Sequence, residues 1–151
     1  MRVLYVILFV YLMPINVLCQ SDKIDYFKNL NSKERNVIVD KGTEHPYTGK
    51  YNSHFEEGTY HCKACDSPLY RSVNKFESNC GWPAFDDQIK GAITRYSDYK
   101  LGYKRTEICC AKCGGHLGHV FEGEKLTKKN VRHCVNSISL IFKKKDNNLK
   151  F

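Results

Sequence analysis

A cysteine near the C-terminus, Cys134, has the neighbours that a reactive thiol needs. Arg132 precedes it by two positions and Asn136 follows it by two, in a run that alternates apolar and polar residues. A nearby cation favours the thiolate, which is the nucleophilic form of cysteine, and the alternation is typical of a β-strand. The pattern therefore predicts a nucleophile carried on a strand. A small buried structural cysteine is the alternative that these residues alone leave open.

Four other cysteines form two Cys-x-x-Cys pairs, Cys62 with Cys65 and Cys110 with Cys113. Two intervening residues let both sulfurs of a pair turn toward one ion, and four thiolates complete the tetrahedral shell of a structural zinc ion. The ion would clip two distant hairpins together. Two disulfide bonds are the alternative, which a secreted protein would permit. Cys109, beside the second pair, is left as a spare thiol.

Two further motifs carry residues with redox or acid–base chemistry. Cys80 begins the sequence CGWPAF, which contains the only tryptophan of the chain, Trp82, between a flexible glycine and a rigid proline. His116 and His119 lie three residues apart in the sequence HLGHVF, close behind the second cysteine pair. Imidazoles at this spacing can act as acids, bases or metal ligands. Spacing alone does not decide between these roles.

In this order, the motifs closely resemble those of the methionine sulfoxide reductase B family, whose members reduce the R epimer of methionine sulfoxide. The resemblance covers about residues 30–142. It is carried by GTE at 42–44, CKAC at 62–65, CGWP at 80–83, RTE at 105–107, CAKC at 110–113, HLGHVF at 116–121 and RHCVNS at 132–137. Several independent motifs in one order argue against chance agreement.

The resemblance implies a role for each candidate residue. Cys134 would be the nucleophile, Cys80 the resolving cysteine, and the two Cys-x-x-Cys pairs the ligands of one structural zinc ion. In the substrate pocket, Trp82 and Phe121 would bind the substrate, and His116, His119 and Asn136 would be catalytic residues. Reduction would leave a sulfenic acid on Cys134, and thioredoxin or a similar dithiol would recycle a Cys80–Cys134 disulfide. The implied role is repair of oxidised methionine, protein-bound or free, in the response to oxidative stress.

Three features depart from the family pattern. His133 stands where many members have an aromatic residue, and Ala84 stands where many have serine. Residues 122–131 lack the proline-rich loop that is common before the catalytic strand. These departures affect the expected pocket shape and substrate preference, but not the expected reaction.

The elements that position these residues are predicted to be mainly β. Between residues 51 and 142, short runs of alternating apolar and polar residues are separated by glycine, proline and asparagine, for example at 58–62, 106–109 and 135–142. Such runs are typical of antiparallel sheets. The resemblance implies two small antiparallel sheets, which agrees with this texture.

A short helix is predicted before the sheets. Asn31 followed by Glu34 matches a capping box, and the helix should end before Gly42. A length of 151 residues suits one domain. We place the reductase domain at 31–142, between an N-terminal extension at 20–30 and a basic tail at 143–151.

The first residues predict a secretory signal peptide at 1–19. Arg2 is followed by an apolar run at 3–13, and Val17 and Cys19 would fill the small-residue positions before the cleavage site. The run is too short to span a bilayer comfortably, with an uncleaved membrane anchor as the alternative. We expect a monomer without stable membrane association, located in the endoplasmic reticulum, secreted, or in an organelle reached by that route.

The net charge of +8 invites a different function. A zinc-ribbon module without catalysis could bind RNA or a partner protein through a basic surface. This alternative explains the cysteine pairs and the charge, but it leaves Cys80, Cys134 and the paired histidines without a role. A secreted protein stapled by disulfide bonds leaves the same residues unexplained. We therefore expect an oxidoreductase that binds no nucleic acid.

Overall fold

The computed structural model describes residues 25–145. The predicted signal peptide, the start of the predicted extension and residues 146–151 of the predicted tail lie outside this range. Within residues 25–145, no helix has the length and apolar character needed to cross a membrane.

The predicted helix is present as α1, Ser32–Ile38. Its first turn is closed by the capping box: Asn31 Oδ1 accepts a hydrogen bond from the Glu34 main-chain N–H at 3.0 Å, and Glu34 Oε2 accepts one from the Asn31 N–H at 2.9 Å. These bonds satisfy main-chain donors that have no partner inside the helix. Val37 and Ile38 are buried and attach the helix to the domain.

Nine strands follow α1. They are β1 Gly58–Cys62, β2 Pro68–Arg71, β3 Lys75–Phe76, β4 Ala84–Phe85, β5 Ile93–Asp98, β6 Arg105–Cys110, β7 His116–Glu122, β8 Val131–Val135 and β9 Leu140–Lys144. One sheet has three strands in the order β2-β1-β9, and the other has six in the order β3-β4-β8-β7-β6-β5. Every pairing is antiparallel. The expected fold, mainly β with two antiparallel sheets and one short helix, is therefore confirmed.

Aromatic side chains fill much of the space between the two sheets. Phe85 stacks on Tyr70 with ring centroids 4.3 Å apart and meets the edge of Tyr60 at 5.1 Å. All three rings are completely buried. Their large apolar area makes them a main source of the free energy that holds the sheets together.

The expectation of one continuous run at 135–142 is wrong. Strand β8 ends at Val135, a 3₁₀ turn covers Ser137–Ser139, and β9 continues in the other sheet. The cause is the Glu44 carboxylate, which accepts a hydrogen bond from the Ser137 N–H at 2.8 Å. This main-chain donor therefore has a carboxylate partner instead of a neighbouring strand, and the chain can leave one sheet for the other.

Candidate active site

Cys80 and Cys134 meet at one point of the larger sheet. Cys134 lies on β8 directly opposite Ala84 of β4, and Cys80 lies in the loop between β3 and β4. Their Sγ atoms are 3.6 Å apart, and Ser78 Oγ donates a hydrogen bond to Cys80 Sγ at 2.9 Å. Both thiols are partly exposed. The β4–β8 pairing therefore brings together two cysteines that are 54 residues apart in the sequence.

The two sulfurs shift each other's pKa in opposite directions. The contact with Cys134, together with the Ser78 hydroxyl and the Arg132 cation, lowers the pKa of Cys80 to about 5. The same contact and burial raise the pKa of Cys134. Arg132 is held by two bonds to Glu124, at 2.7 and 2.8 Å. A second thiolate at this distance would be repelled by the first, so at neutral pH the pair keeps one proton.

A cavity of about 110 Å³ opens in front of Cys134. It is lined by Thr43, Trp82, Arg105, Gly118, His119, Phe121, Cys134 and Asn136. The Trp82 indole is fixed because its Nε1–H donates to the Glu44 carbonyl at 2.9 Å. It presents a rigid apolar wall close to Cys134.

Asn136 forms part of this wall, and its side chain bonds to main-chain groups. Its Oδ1 accepts from the Glu44 N–H at 2.9 Å, and its Nδ2 donates to the Leu117 carbonyl at 3.1 Å. These bonds connect the loop that contains Glu44, the hydrogen-bond partner of Trp82, to strand β7. Asn136 therefore shapes the cavity by joining its two sides.

The two histidines have different positions relative to the cavity. His119 lines it, and its Nε2 lies 2.8 Å from Asp98 Oδ2. His116 is 2% exposed and lies behind, with Nδ1 2.7 Å from Glu107 Oε1. Burial lowers the pKa of His116 despite the nearby carboxylate. Of the two imidazoles, only His119 reaches the cavity that contains Cys134.

Each carboxylate that holds a histidine also has a cationic partner. Asp98 Oδ2 accepts from Arg105 Nη2 at 2.6 Å, and Glu107 Oε2 accepts from Lys41 Nζ at 2.8 Å. The Lys100 N–H, with His119 and Arg105, keeps the pKa of Asp98 well below its usual range. Burial alone would raise the pKa of Glu107, but hydrogen bonds from Lys41 and His116 outweigh it and lower that pKa. Both acids are therefore carboxylates at neutral pH.

The four cysteines of the two pairs form a cluster on the side of the domain where β1 and β6 end. Their Sγ atoms all lie within 4.8 Å of one another, with Cys62 and Cys113 3.6 Å apart and Cys65 and Cys110 3.5 Å apart. Zinc–sulfur bonds of about 2.3 Å in a tetrahedron place sulfurs about 3.8 Å apart. The cluster thus fits a four-coordinate ion that links the three-stranded sheet to the six-stranded sheet.

Comparison with known proteins decides the family. A family model described as the SelR domain matches residues 30–144. The chain belongs to the SelR domain family. Its match covers both sheets, the cysteine cluster and every residue of the cavity in front of Cys134.

Relatives of this SelR domain carry names that agree with the sequence resemblance. Peptide methionine sulfoxide reductase 2 of Saccharomyces cerevisiae is 50% identical over 131 residues, which are 83% of this chain and 78% of that protein. Peptide methionine sulfoxide reductase MsrB of Teredinibacter turnerae is 46% identical over 126 residues, 82% of this chain and 92% of the relative. The recognition as a methionine sulfoxide reductase B, and so as an oxidoreductase, is confirmed.

Other relatives are longer than this chain. Peptide methionine sulfoxide reductase B2, chloroplastic, of Arabidopsis thaliana is 54% identical over 114 residues, which cover 75% of this chain and 55% of the relative. The crystal structure of a Mis18 'Yippee-like' domain has a TM-score of 0.50 at 14% identity and covers 61% of this chain and 100% of that domain. At this identity the likeness concerns the fold alone.

Sequence reasoning missed four charged residues of this SelR domain site: Lys41, Asp98, Arg105 and Glu107. Arg105 and Glu107 belong to the RTE motif that helped to identify the family, but no role followed from it. Glu107, His119 and Cys134 occupy directly opposed positions on β6, β7 and β8. The sequence did contain a signal for Arg105 and Glu107. They are two positions apart, and side chains at alternate positions of a strand lie on the same face of the sheet.

Cys109 lies beside these charged residues and is not part of the four-cysteine cluster. It is 2% exposed, and its Sγ lies within 4.8 Å of ligand atoms of Glu107 and His116. Burial, followed by the charge of Glu107, raises the pKa of Cys109 to about 12. It is therefore a protonated, buried thiol, consistent with its description as a spare cysteine.

Proposed function

We propose that the chain reduces the R epimer of methionine sulfoxide to methionine, with Cys134 as the nucleophile. The observation that supports this most strongly is the position of Cys134, which faces a small cavity with Trp82 and His119 and lies 3.6 Å from Cys80. In one place this supplies a nucleophile, an apolar surface, a proton donor and a second thiol. The names of the relatives supply the substrate class.

In the bound substrate, the terminal methyl group packs against the indole of Trp82 and the ring of Phe121, both of which line the cavity. The polar oxygen is then directed toward His119. An apolar wall on one side and a donor on the other distinguish the two groups on the sulfur. This arrangement favours one epimer, because exchanging methyl and oxygen would bury the oxygen against aromatic carbon.

In the first chemical step, the thiolate of Cys134 attacks the sulfoxide sulfur. Cys134 holds the proton of the resting pair and Cys80 the charge, so this proton first moves to Cys80 across the 3.6 Å contact and leaves Cys134 as the attacking thiolate. His119 donates a proton to the oxygen as negative charge develops on it. The transient bond between Cys134 and the substrate sulfur then breaks together with the substrate sulfur–oxygen bond, as the protonated oxygen is transferred to Cys134. The Cys134 sulfur is thereby oxidised by two electrons to a sulfenic acid, and the substrate sulfur is reduced to that of methionine.

In the second step, Cys80 attacks the sulfur of the Cys134 sulfenic acid. A disulfide bond forms, and the hydroxyl group leaves with a proton as water. The sulfurs must close from 3.6 Å to the bond length of about 2.05 Å, which is a small movement for a loop residue. Thioredoxin or a similar dithiol then reduces the disulfide by thiol exchange and restores both cysteines.

We further propose that the four-cysteine cluster binds one zinc ion. Cys62, Cys65, Cys110 and Cys113 would supply all four ligands, and a closed thiolate shell gives zinc a structural role. All the groups that contact the substrate would then come from the site around Cys134, and none from the zinc site. The ion would keep β1 and β6 in place.

Replacement of Cys134 by serine tests the proposal. The variant should fail to reduce the R epimer of a methionine sulfoxide peptide with dithiothreitol, while the parent should consume only half of a racemic mixture. Replacement of Cys80 by serine should preserve one turnover and turnover with dithiothreitol, but slow recycling by thioredoxin. Unchanged turnover of the Cys134→Ser variant would refute the role of the nucleophile.

We also propose that residues 1–19 direct the chain into the secretory route. The apolar run behind Arg2 supports this proposal. A C-terminal fluorescent fusion of the whole chain should localise to secretory compartments, and the same fusion without residues 1–19 should localise to the cytosol. Identical distributions would contradict it.

A further inference from the structure

We propose that Arg105 binds the substrate directly, with its Nε–H donating a hydrogen bond to the sulfoxide oxygen. This inference rests on the proposed function and adds a second donor to His119. It starts from an unusual feature of the guanidinium. Among residues 25–145, the buried side-chain nitrogen and oxygen atoms without a hydrogen-bond partner are Arg105 Nε and Thr127 Oγ1.

A buried N–H of a charged group without a protein acceptor is rare and unfavourable, so it requires an explanation. Arg105 lies at the start of β6 and lines two cavities, the one in front of Cys134 and a neighbouring one of about 200 Å³. Thr43 and His119 also line both. The guanidinium therefore borders the space in front of Cys134, and its buried Nε–H has no acceptor among the described residues.

The guanidinium is held in a fixed orientation. Its Nη2 donates to Asp98 Oδ2 at 2.6 Å, and the same oxygen lies 2.8 Å from His119 Nε2. Because a guanidinium is planar and rigid, the bond to Asp98 also limits the direction of the Nε–H. Asp98 thus orients both the imidazole and the guanidinium that border the cavity of Cys134.

The chemistry of sulfoxide reduction gives such a pair a use. The oxygen gains negative charge as the sulfur–oxygen bond breaks, and donors already in position stabilise that charge best. His119 can give up its proton during the step. Arg105 cannot, because a guanidinium stays protonated, so it supplies a constant positive charge beside the oxygen.

Size favours the sulfoxide oxygen over a substrate main-chain carbonyl. The cavity in front of Cys134 has a volume of about 110 Å³. Since one water takes up about 30 Å³ in the liquid, this space holds a group of the size of the methylsulfinyl end of the side chain. The experiment below distinguishes a hydrogen bond from Arg105 to the sulfoxide oxygen from one to a main-chain carbonyl of the substrate.

The test compares Arg105→Lys with Arg95→Lys in the full-length zinc-loaded protein. Lysine at position 105 keeps the charge but lacks the Nε–H of the fork. Arg95 is the matched control, since it lies on the adjacent strand β5, pairs with Glu122 at 3.2 Å and does not line either cavity. Two R sulfoxides are assayed with dithiothreitol: a methionine sulfoxide peptide, and methyl p-tolyl sulfoxide, which has no carbonyl group.

For Arg105→Lys, kcat should fall about 10²–10³-fold on both substrates, the typical loss for one donor to a developing oxyanion. Arg95→Lys should stay within about twofold of the parent. Equal activity of Arg105→Lys and the parent would overturn the proposal. A loss confined to KM of the peptide would show that the guanidinium binds a carbonyl and would also overturn it.

A second variant keeps the proposal testable if Arg105→Lys folds poorly. Arg105→Ala with the parent's zinc content should regain activity when millimolar guanidinium is added, and sodium at the same ionic strength should have no effect. Absence of rescue in the folded variant would argue against a direct contact. A parent protein that reduces neither sulfoxide would instead refute the proposed function.

Discussion

Replacement of Gly118 by alanine should be far more damaging than its small size suggests. Gly118 lies in the middle of β7, opposite Val135 of β8 and Ile108 of β6, and has φ +153°. A Cβ atom built there would lie 2.0 Å from the Cys134 carbonyl oxygen. A carbon and an oxygen normally remain more than about 3.3 Å apart even in weak contacts. Strands β7 and β8 would therefore have to separate by about 1 Å.

The expected cost has three parts. A side chain at positive φ costs about 1–3 kcal/mol, forcing the extra carbon into a packed interior costs about 1–3 kcal/mol, and each weakened ladder hydrogen bond costs about 1 kcal/mol. We expect Gly118→Ala to lose about 4–6 kcal/mol of unfolding free energy. That is a large fraction of the 5–15 kcal/mol that typically stabilises a domain. Catalysis should fall as well, because the displaced carbonyl belongs to Cys134, the proposed nucleophile.

Gly123→Ala is the matched control, because Gly123 has φ +89° and a Cβ there would meet nothing within 4 Å. Gly123→Ala should lose only the unfolding free energy that a side chain at positive φ costs, about 1–3 kcal/mol. Urea denaturation of both variants, followed by circular dichroism, measures the difference, and dithiothreitol-coupled turnover measures the effect on Cys134. If both variants lost the same stability, the close approach of β7 to Cys134 would not be the reason for glycine at 118.

Three further predictions concern the thiols and the histidine network. Cys113→Ser should bind less than one zinc ion per chain by elemental analysis and lose several kcal/mol of stability; full zinc content would contradict a four-sulfur site. The rate at which iodoacetamide alkylates the parent should rise with pH, with a midpoint near the Cys80 pKa of about 5. Cys134→Ala should move that midpoint to higher pH, because the Cys80 thiolate loses a hydrogen-bond donor. An unchanged midpoint would contradict a coupling between the two thiols. Asp98→Asn should lower kcat at least about tenfold, part of the 10²–10⁴ that a positioned acid contributes, without changing the zinc content; unaltered kcat would show that Asp98 does not orient His119.

The sequence predicted the parts of the site that depend on short spacings. The Cys-x-x-Cys pairs, the capping box of α1 and the residues around Cys134 are local patterns, and each carries its physical reason within a few positions. The family resemblance supplied the partner of Cys134, which is 54 residues away. Sequence spacing alone could not have provided it.

The charged residues around the histidines were not predictable in this way. Glu107 contacts Lys41, 66 positions earlier, and Asp98 contacts His119, 21 positions later. These contacts depend on the register of β5, β6 and β7, which is set by the whole sheet and not by the residues themselves. For the same reason, the hydrogen bond from Ser137 to Glu44, 93 positions away, ended β8 earlier than its alternating pattern suggested.

The register of β6 also connects the four-cysteine cluster to the proposed reaction. Cys110 is the last residue of β6, and Glu107 lies three residues before it on the same strand, opposite His119. A bulge at Ile108 and Cys109 lies between them and shifts the pairing with β7. A slip of one residue would turn Glu107 from the cavity side of the sheet to the opposite face. An ion held by Cys110 would therefore prevent that slip. Removing the ion should reduce activity, because Glu107 and Arg105 would be displaced. This effect would be indirect, since a closed shell of four sulfurs offers the substrate no binding position.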